Sequence, residues 1–198
     1  MFALVESGTI TQFPKGNKGI TLGENQYPSS IYTLWTEAER NAIGIYTVEI
    51  DSTNRKDEAF YINTDITYAV DGITVKGTYG TATAINIADT LYTAQDETDG
   101  LGTEGEVATR GLKHKYKETV NLQAAAKLQP TDWMVIREAE GGTAVPSDIT
   151  TWRAAVRTKA NAMQVQIDGA ANVDALAALY VYNDATPPVR PLGEFPTL

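Results

Sequence analysis

Apolar and polar residues alternate with a period of two through the first half of the chain and with a helical period through the second. The first spacing belongs to strands with one buried face, the second to helices. Residues 2–6 and 9–13 read as strands joined by a Ser7-Gly8 turn. A loop bearing glycine and lysine, 14–23, follows them. Residues 29–35 lead into a small helix, and Thr36-Glu37-Ala38-Glu39 fits a capping box in which Thr36 and Glu39 satisfy each other's free amides. Gly44 ends that turn, because a left-handed residue is least costly as glycine. An alternating strand, 45–50, precedes a polar loop, 51–57, and a return strand, 59–63. Residues 66–70 and 73–79 flank Asp71-Gly72, a dipeptide suited to a tight hairpin turn with positive φ.

Residues 81–93 fit neither period well: Ala84, Ile87, Ala88 and Leu91 have helical spacing, but the threonines weaken it. The acidic, glycine-bearing segment 96–105 has no period and reads as a linker. Helical spacing then takes over. Leu112, Tyr116, Val120 and Leu128 mark a helix over 106–128, and a second, shorter helix follows Pro130, with Thr131 or Asp132 as its cap. Gly141-Gly142 stops that helix. Ser147 caps a long one with Trp152, Val156, Met163 and Ile167 on one stripe, ending near Gly169. Asn172 caps the last helix, with Val173, Leu176, Leu179 and Tyr180 inward. The predicted class is α+β: an antiparallel β domain (1–95), an acidic linker (96–105), an antiparallel helical bundle (106–183) and an extended proline-rich arm (184–198). Pro187, Pro188, Pro191 and Pro196 favour an extended backbone in that arm, which needs its own protein's surface or a neighbour to hold it.

Composition narrows the function. A chain of this length buries roughly 70% of its unfolded surface and needs no covalent staples. It has no cysteine, which excludes disulfides and thiolate metal sites, and its single histidine, His114, makes no multi-histidine site. The net charge of −9 disfavours nucleic acid and suits basic partner surfaces. No apolar run is long enough to span a bilayer, and the first residues lack a basic leader, so a soluble protein made in a cytoplasm is expected, with no membrane partner.

Candidate chemistry is sparse. His114 lies in Lys113-His114-Lys115-Tyr116-Lys117, without a nucleophile motif; with Lys127 it reads as a solvated basic helix face that could meet an acidic partner. The acids Asp96, Glu97, Asp99, Glu104 and Glu106 lack the alternate spacing of a calcium loop, and so does 51–58. Residues 16–23 lack the Lys-Ser/Thr ending of a phosphate loop. No pair among the 25 acids stands out as a glycosidase pair. Tyr27, Tyr32, Tyr46, Tyr61, Tyr68 and Tyr79 suggest either a sticky, sugar-binding face or, more simply, half-buried strand positions. No cofactor or metal is expected.

The most informative stretch is Pro130-Thr131-Asp132-Trp133-Met134-Val135-Ile136-Arg137-Glu138-Ala139-Glu140. Trp133, Ile136 and Arg137 fall on one side of a helix, where indole and guanidinium stack or share a groove. Two readings follow. Trp133 with Arg137 is first an internal joint with Trp133 in the core, and second a docking hot spot; Trp152 and Arg153 read the same way.

The stretch 130–137, with Ala144-Val145-Pro146-Ser147-Asp148-Ile149 and Trp152-Arg153-Ala154-Ala155-Val156-Arg157, resembles helical C-terminal regions of tailed-bacteriophage tail proteins, including tail-fibre assembly proteins and small tail accessory proteins. Those regions read as a proline, an acid and a tryptophan with an arginine soon after, then a proline-led helix rich in Arg and Ala. Residues 34–48 are similar to N-terminal parts of such proteins, where a short helix ends in glycine and feeds a strand. The central segment 62–91 has no counterpart. The resemblance implies a non-enzymatic role in folding, capping or attaching tail fibres, in the virion tail or in the infected host's cytoplasm during assembly. The partners it implies are phage tail or fibre proteins, with a homo-oligomer as a further option. Trp133, Arg137, Trp152 and Arg153 are the docking candidates, and Pro187, Pro188, Pro191 and Phe195 are those of an arm that clamps a neighbour. A virion structural protein of baseplate, neck or fibre is one rival reading, and a tail-associated glycan hydrolase another.

Overall fold

Residues 1–198 are all described by the computed structural model, which is mixed α+β and divides into two units, Met1–Thr83 and Ala84–Leu198. The first is built on a curled five-stranded sheet in the order β2-β1-β5-β8-β7. Its strands are β1 (Phe2–Glu6), β2 (Thr9–Gln12), β5 (Ile45–Asp51), β7 (Ile66–Asp71) and β8 (Thr74–Tyr79). The curl brings edge strands β2 and β7 together, and the rings of Phe13 and Tyr68 beside them lie 4.7 Å apart.

Alternation in β1 and β5 supplies both faces of the sheet with apolar side chains. Ala3, Val5, Val48 and Val75 pack on one face with Ile10, Tyr46, Tyr68 and Val70. Leu4 and Ile45 point to the other, where Ile20, Ile31 and Tyr32 cover them. The cover comes from the hairpin β3 (Ile20–Leu22) and β4 (Asn25–Tyr27) and from the short helices α1 (Ile31–Leu34) and α2 (Glu37–Ala42). The Thr36–Glu39 capping box of α2 is formed in full. Two expectations need correction. The sheet is not purely antiparallel, because β5 and β8 pair in parallel, Val48 opposite Val75. Nothing local encodes that pairing, which joins strands distant in sequence. The hairpin between β7 and β8 forms one residue later than the Asp71-Gly72 dipeptide suggests: Asp71 pairs with Thr74, leaving Gly72 (φ +60°) and Ile73 as its loop. Positive φ at the first loop position alone is the primed turn that glycine favours there. Of the return strand 59–63 only β6 (Tyr61–Ile62) is extended. The two-residue β9 (Thr83–Ala84) falls at the division between units.

The second unit begins upstream of the acidic segment read as a linker, and that segment is folded. Between the paired strands β10 (Thr90–Leu91) and β11 (Val107–Thr109) lies α3 (Ala94–Thr98), whose capping box joins Thr93 and Asp96. The following helix, α4 (Leu112–Leu128), starts later than the expected 106, because 107–109 is strand. Its N-terminus has no side-chain cap of its own. Instead the Leu112 and Lys113 amides donate to the Asn86 and Ile87 carbonyls, and the Gly111 amide to Asp89. This is why 81–93 does not form a helix: its carbonyls face an orphaned helix end and satisfy it. Gly111 is held against the Ala88 backbone, where a Cβ would clash.

A one-turn 3₁₀ segment (Gln129–Thr131) leads into α5 (Asp132–Ala139), then α6 (Ser147–Gly169) and α7 (Val173–Ala178). Lys117 with Asp168, Asn121 with Gln164, and the Leu128 carbonyl with Arg153 align the start of α4 with the end of α6. The two helices are therefore antiparallel. Val120, Ala124, Val156, Ala160, Met163 and Ile167 are buried. Asn172 caps α7 through the Ala175 amide. Ser147 does not cap α6; the flanking position is Pro146, and Ser147 is already helical.

Residues 190–196 of the proline-rich segment lie on this unit's own helices. The Trp152 indole donates to the Pro196 carbonyl (3.2 Å), Lys159 to that of Leu192 (2.8 Å) and Gln166 to that of Pro191 (3.2 Å). Leu192 is 2% exposed and Phe195 9%. Those residues are part of the core rather than a free clamp. Proline content predicted an extended backbone but is silent on the two large apolar side chains carried among the prolines.

Candidate functional site

The informative stretch, 130–137, turns a corner between α4 and α6, and one arginine fixes it. The 3₁₀ turn buries Thr131, whose hydroxyl donates to the Leu128 carbonyl (2.9 Å) instead of capping α5. Arg153 reaches in from α6, its side chain 11% exposed. It donates to that same carbonyl (2.8 Å), to the Thr131 hydroxyl and to the Asp132 carboxylate (2.7 Å). A planar guanidinium suits this task, since it offers several donors in fixed directions.

The internal joint is thus Thr131, Asp132 and Arg153, not Trp133 with Arg137. Trp133 is 53% exposed, which overturns its expected place in the core. Arg137 does stack on its ring, 4.9 Å from the centroid, but on the outer side of α5. The Arg137 Nε donates to the Thr143 carbonyl (3.1 Å), and the Gly142 amide to the Arg137 carbonyl (2.9 Å). Both ends of α5 are therefore tied down. Val135 is exposed and Ile136 is 57% exposed. Sequence reasoning named Ile136 only as a helical neighbour and missed Val135 and Arg157. Val135 belongs to another side of α5, where it lines a cleft of about 240 Å³ with Glu138, Val145, Thr150, Arg153 and Arg157.

The other candidates divide. Trp152, half-buried, joins the C-terminal segment to α6, and Phe195 is buried in a region that Gln123, Ala126 and Lys127 of α4 border. Pro187, Pro188 and Pro191 are exposed. Pro191 borders a second and larger cleft, about 680 Å³, whose walls include Val181, Tyr182, Val189 and Arg190. Arg190 lies near the rings of Tyr180 (5.6 Å) and Tyr182 (5.4 Å) and pairs with Glu194 (2.7 Å). The Tyr182 hydroxyl donates to Glu194 (2.6 Å), and this bond, ahead of the nearby Arg190 charge, holds the Glu194 carboxyl below the usual range. Burial, followed by the neighbouring Tyr116, pushes the Tyr180 hydroxyl up to about 12. Arg190, Tyr182 and Glu194 are thus committed to one another.

On the basic face of α4, Lys113 donates to the Asp168 carbonyl and Lys117 pairs with the Asp168 carboxylate, so part of its charge is spent inside the unit. In the first unit Tyr27 meets Trp35 edge-on, and Tyr32 and Tyr68 lie tilted against Phe2 and Phe13. No group of three or more His, Asp or Glu side chains converges as a metal site. No helix is long and apolar enough to cross a membrane. Compared with family models, curated proteins and solved structures, the chain finds no match in any of the three.

Proposed function

We propose that this protein is a non-enzymatic tail accessory protein of a tailed bacteriophage, which docks onto the tail fibre or its attachment site through α5. The observation that carries the docking reading is the exposed pair Trp133 and Ile136 on one side of α5, with Arg137 stacked on the indole. Tryptophan and arginine are enriched where interfaces concentrate their energy. A helix fixed at both ends loses little further entropy on binding. The phage context rests on the resemblance of 130–157 and 34–48 to tail proteins. That resemblance implies either the virion tail or the host cytoplasm during assembly.

The test is capture of tail proteins from infected cells by the tagged chain and by a Trp133→Ser/Ile136→Ser variant. The variant should fold normally and lose about 2 kcal/mol or more of binding, roughly thirtyfold in affinity. Undiminished capture refutes docking through α5. Mass spectrometry of purified virions then separates a retained tail component from an assembly factor, which is absent from finished particles.

A further inference from the structure

One segment of the first unit gathers positive charge with no acid beside it. Between β2 and β3, residues 12–20 wrap round a cleft of about 330 Å³ whose walls include Gln12, Phe13, Lys15 and Lys18. No Asp or Glu lines that cleft. Neither lysine has an ion pair or hydrogen bond from its ammonium group within the chain, although acids outnumber bases 25 to 16. In three other clefts the cations share their walls with acids: Arg157 with Glu138, Arg55 and Lys56 with Asp57 and Glu58, and Lys127 with Glu194. Arg190, on the 680 Å³ cleft, is paired with Glu194. The loop that carries Lys15 and Lys18 is also fixed in place. Pro14 and Ile20 are buried at its two ends. Gly16, at φ +50°, lies against the Phe2 ring, and Gly19 is pressed on β4, where a Cβ would sit 2.6 Å from the Tyr27 carbonyl oxygen. Phe13 is 40% exposed, and its ring rests against Tyr68.

We propose that this cleft binds a sugar phosphate, a phosphomonoester on a small polyol. A phosphomonoester carries about −1.5 to −2 at pH 7, which two ammonium groups match. Lysine holds phosphate as a compact point charge and needs no bidentate geometry. Walls of one sign concentrate the field on such an anion, even in a chain of net charge −9. The exposed Phe13 ring offers an apolar surface to the C–H side of a sugar. The Gln12 side chain, without a partner in the chain, offers both a donor and an acceptor to its hydroxyls. The cleft lies near the lower end of the size range of ligand sites, which suits a monosaccharide. Side-chain charge does the holding, not a glycine-rich turn opening a helix, whose Lys-Ser/Thr ending 16–23 lacks. The site lies wholly in the first unit and is independent of docking through α5.

The experiment uses the full chain at low ionic strength. The probes are glucose 6-phosphate, ribose 5-phosphate, glucose and inorganic phosphate. Affinity is read by calorimetry and location by backbone amide shifts. At least one sugar phosphate should bind with Kd below about 1 mM, and its shifts should centre on residues 12–20. Glucose and inorganic phosphate should each bind at least about tenfold more weakly than that ester. Lys15→Gln/Lys18→Gln, which changes two exposed side chains, should weaken the ester at least about tenfold. Lys115→Gln/Lys127→Gln changes the net charge equally and should leave affinity unaltered. Failure of both esters to bind below about 1 mM overturns the inference. Equal loss in the two double variants overturns it as well, since attraction would then follow net charge and not this cleft. Inorganic phosphate that binds as tightly as the esters marks an adventitious ion only. Glucose that binds as tightly removes the role of the lysines, and shifts centred outside 12–20 place the ligand elsewhere; each of these results refutes the assignment.

Discussion

At the scale of single residues, arginine is put to two opposite uses within one corner of the second unit. Arg153 is nearly enclosed and bonds three groups of its own chain, whereas Arg137 lies on an outer indole. Removing Arg153 leaves the Leu128 carbonyl and the buried Thr131 hydroxyl with only each other and strips the Asp132 carboxylate of its charged partner, and hydrogen bonds from a charged group are the costlier ones to lose. Arg153→Met should therefore lower stability by about 2–3 kcal/mol, and Arg137→Ala by about 0.5 kcal/mol, in urea denaturation. Equal losses would mean that the corner is not held as described. A second prediction concerns alkali. Tyr180 is pushed from its ordinary 10.0 up to about 12, chiefly by burial, and Tyr32 and Tyr182 are raised as well. A raised tyrosine keeps its proton in the folded state after the unfolded chain has lost it. Stability is thus unaffected below pH 10 and falls as pH rises towards 12. Tyr180→Phe should flatten part of that fall in melts followed by tyrosinate absorbance, and an unchanged slope would contradict the assignment.

At the scale of elements, the C-terminal segment belongs to the core of its unit. Leu192 and Phe195 are buried, and burying such side chains stabilises by roughly 1.5–3 kcal/mol each. Truncation after Val189 should therefore lower the melting temperature of residues 84–198 by many degrees, followed by calorimetry. A truncated chain that melts normally would return the segment to the role of a free arm. Elements with local signals were legible in the sequence. The capping box at Thr36 and Glu39 and the cap at Asn172 lie within four residues of the helices they start. The Thr93–Asp96 box that opens α3 carried a similar signal, but the surrounding acids and glycines masked it. What the sequence hid was long-range. The parallel partner of β5, the carbonyls of 86 and 87 that satisfy α4, and the seat of residues 191–196 on α6 are all set by tertiary contacts. The docking site was half legible. Helical spacing put Trp133, Ile136 and Arg137 on one side, but whether that side faces in or out depended on Arg153 occupying the corner first.

At the scale of the whole molecule, the apolar contact proposed for α5 and the global charge respond differently to salt. The chain carries −9, and acids outnumber bases in each unit. Attraction of that charge to a basic partner surface weakens with salt, because screening shortens the reach of the field to about 10 Å at 0.1 M ionic strength. Burial of the exposed Trp133 and Ile136 side chains against a partner does not depend on that field. Capture of tail proteins through α5 should therefore persist as sodium chloride is raised from about 0.05 M to about 0.5 M, measured side by side with the Trp133→Ser/Ile136→Ser variant. Capture that is lost with salt, and lost equally in the variant, would put the contact on the charged surface and not on α5. The net charge would then choose the partner, and the exposed indole would be incidental to it.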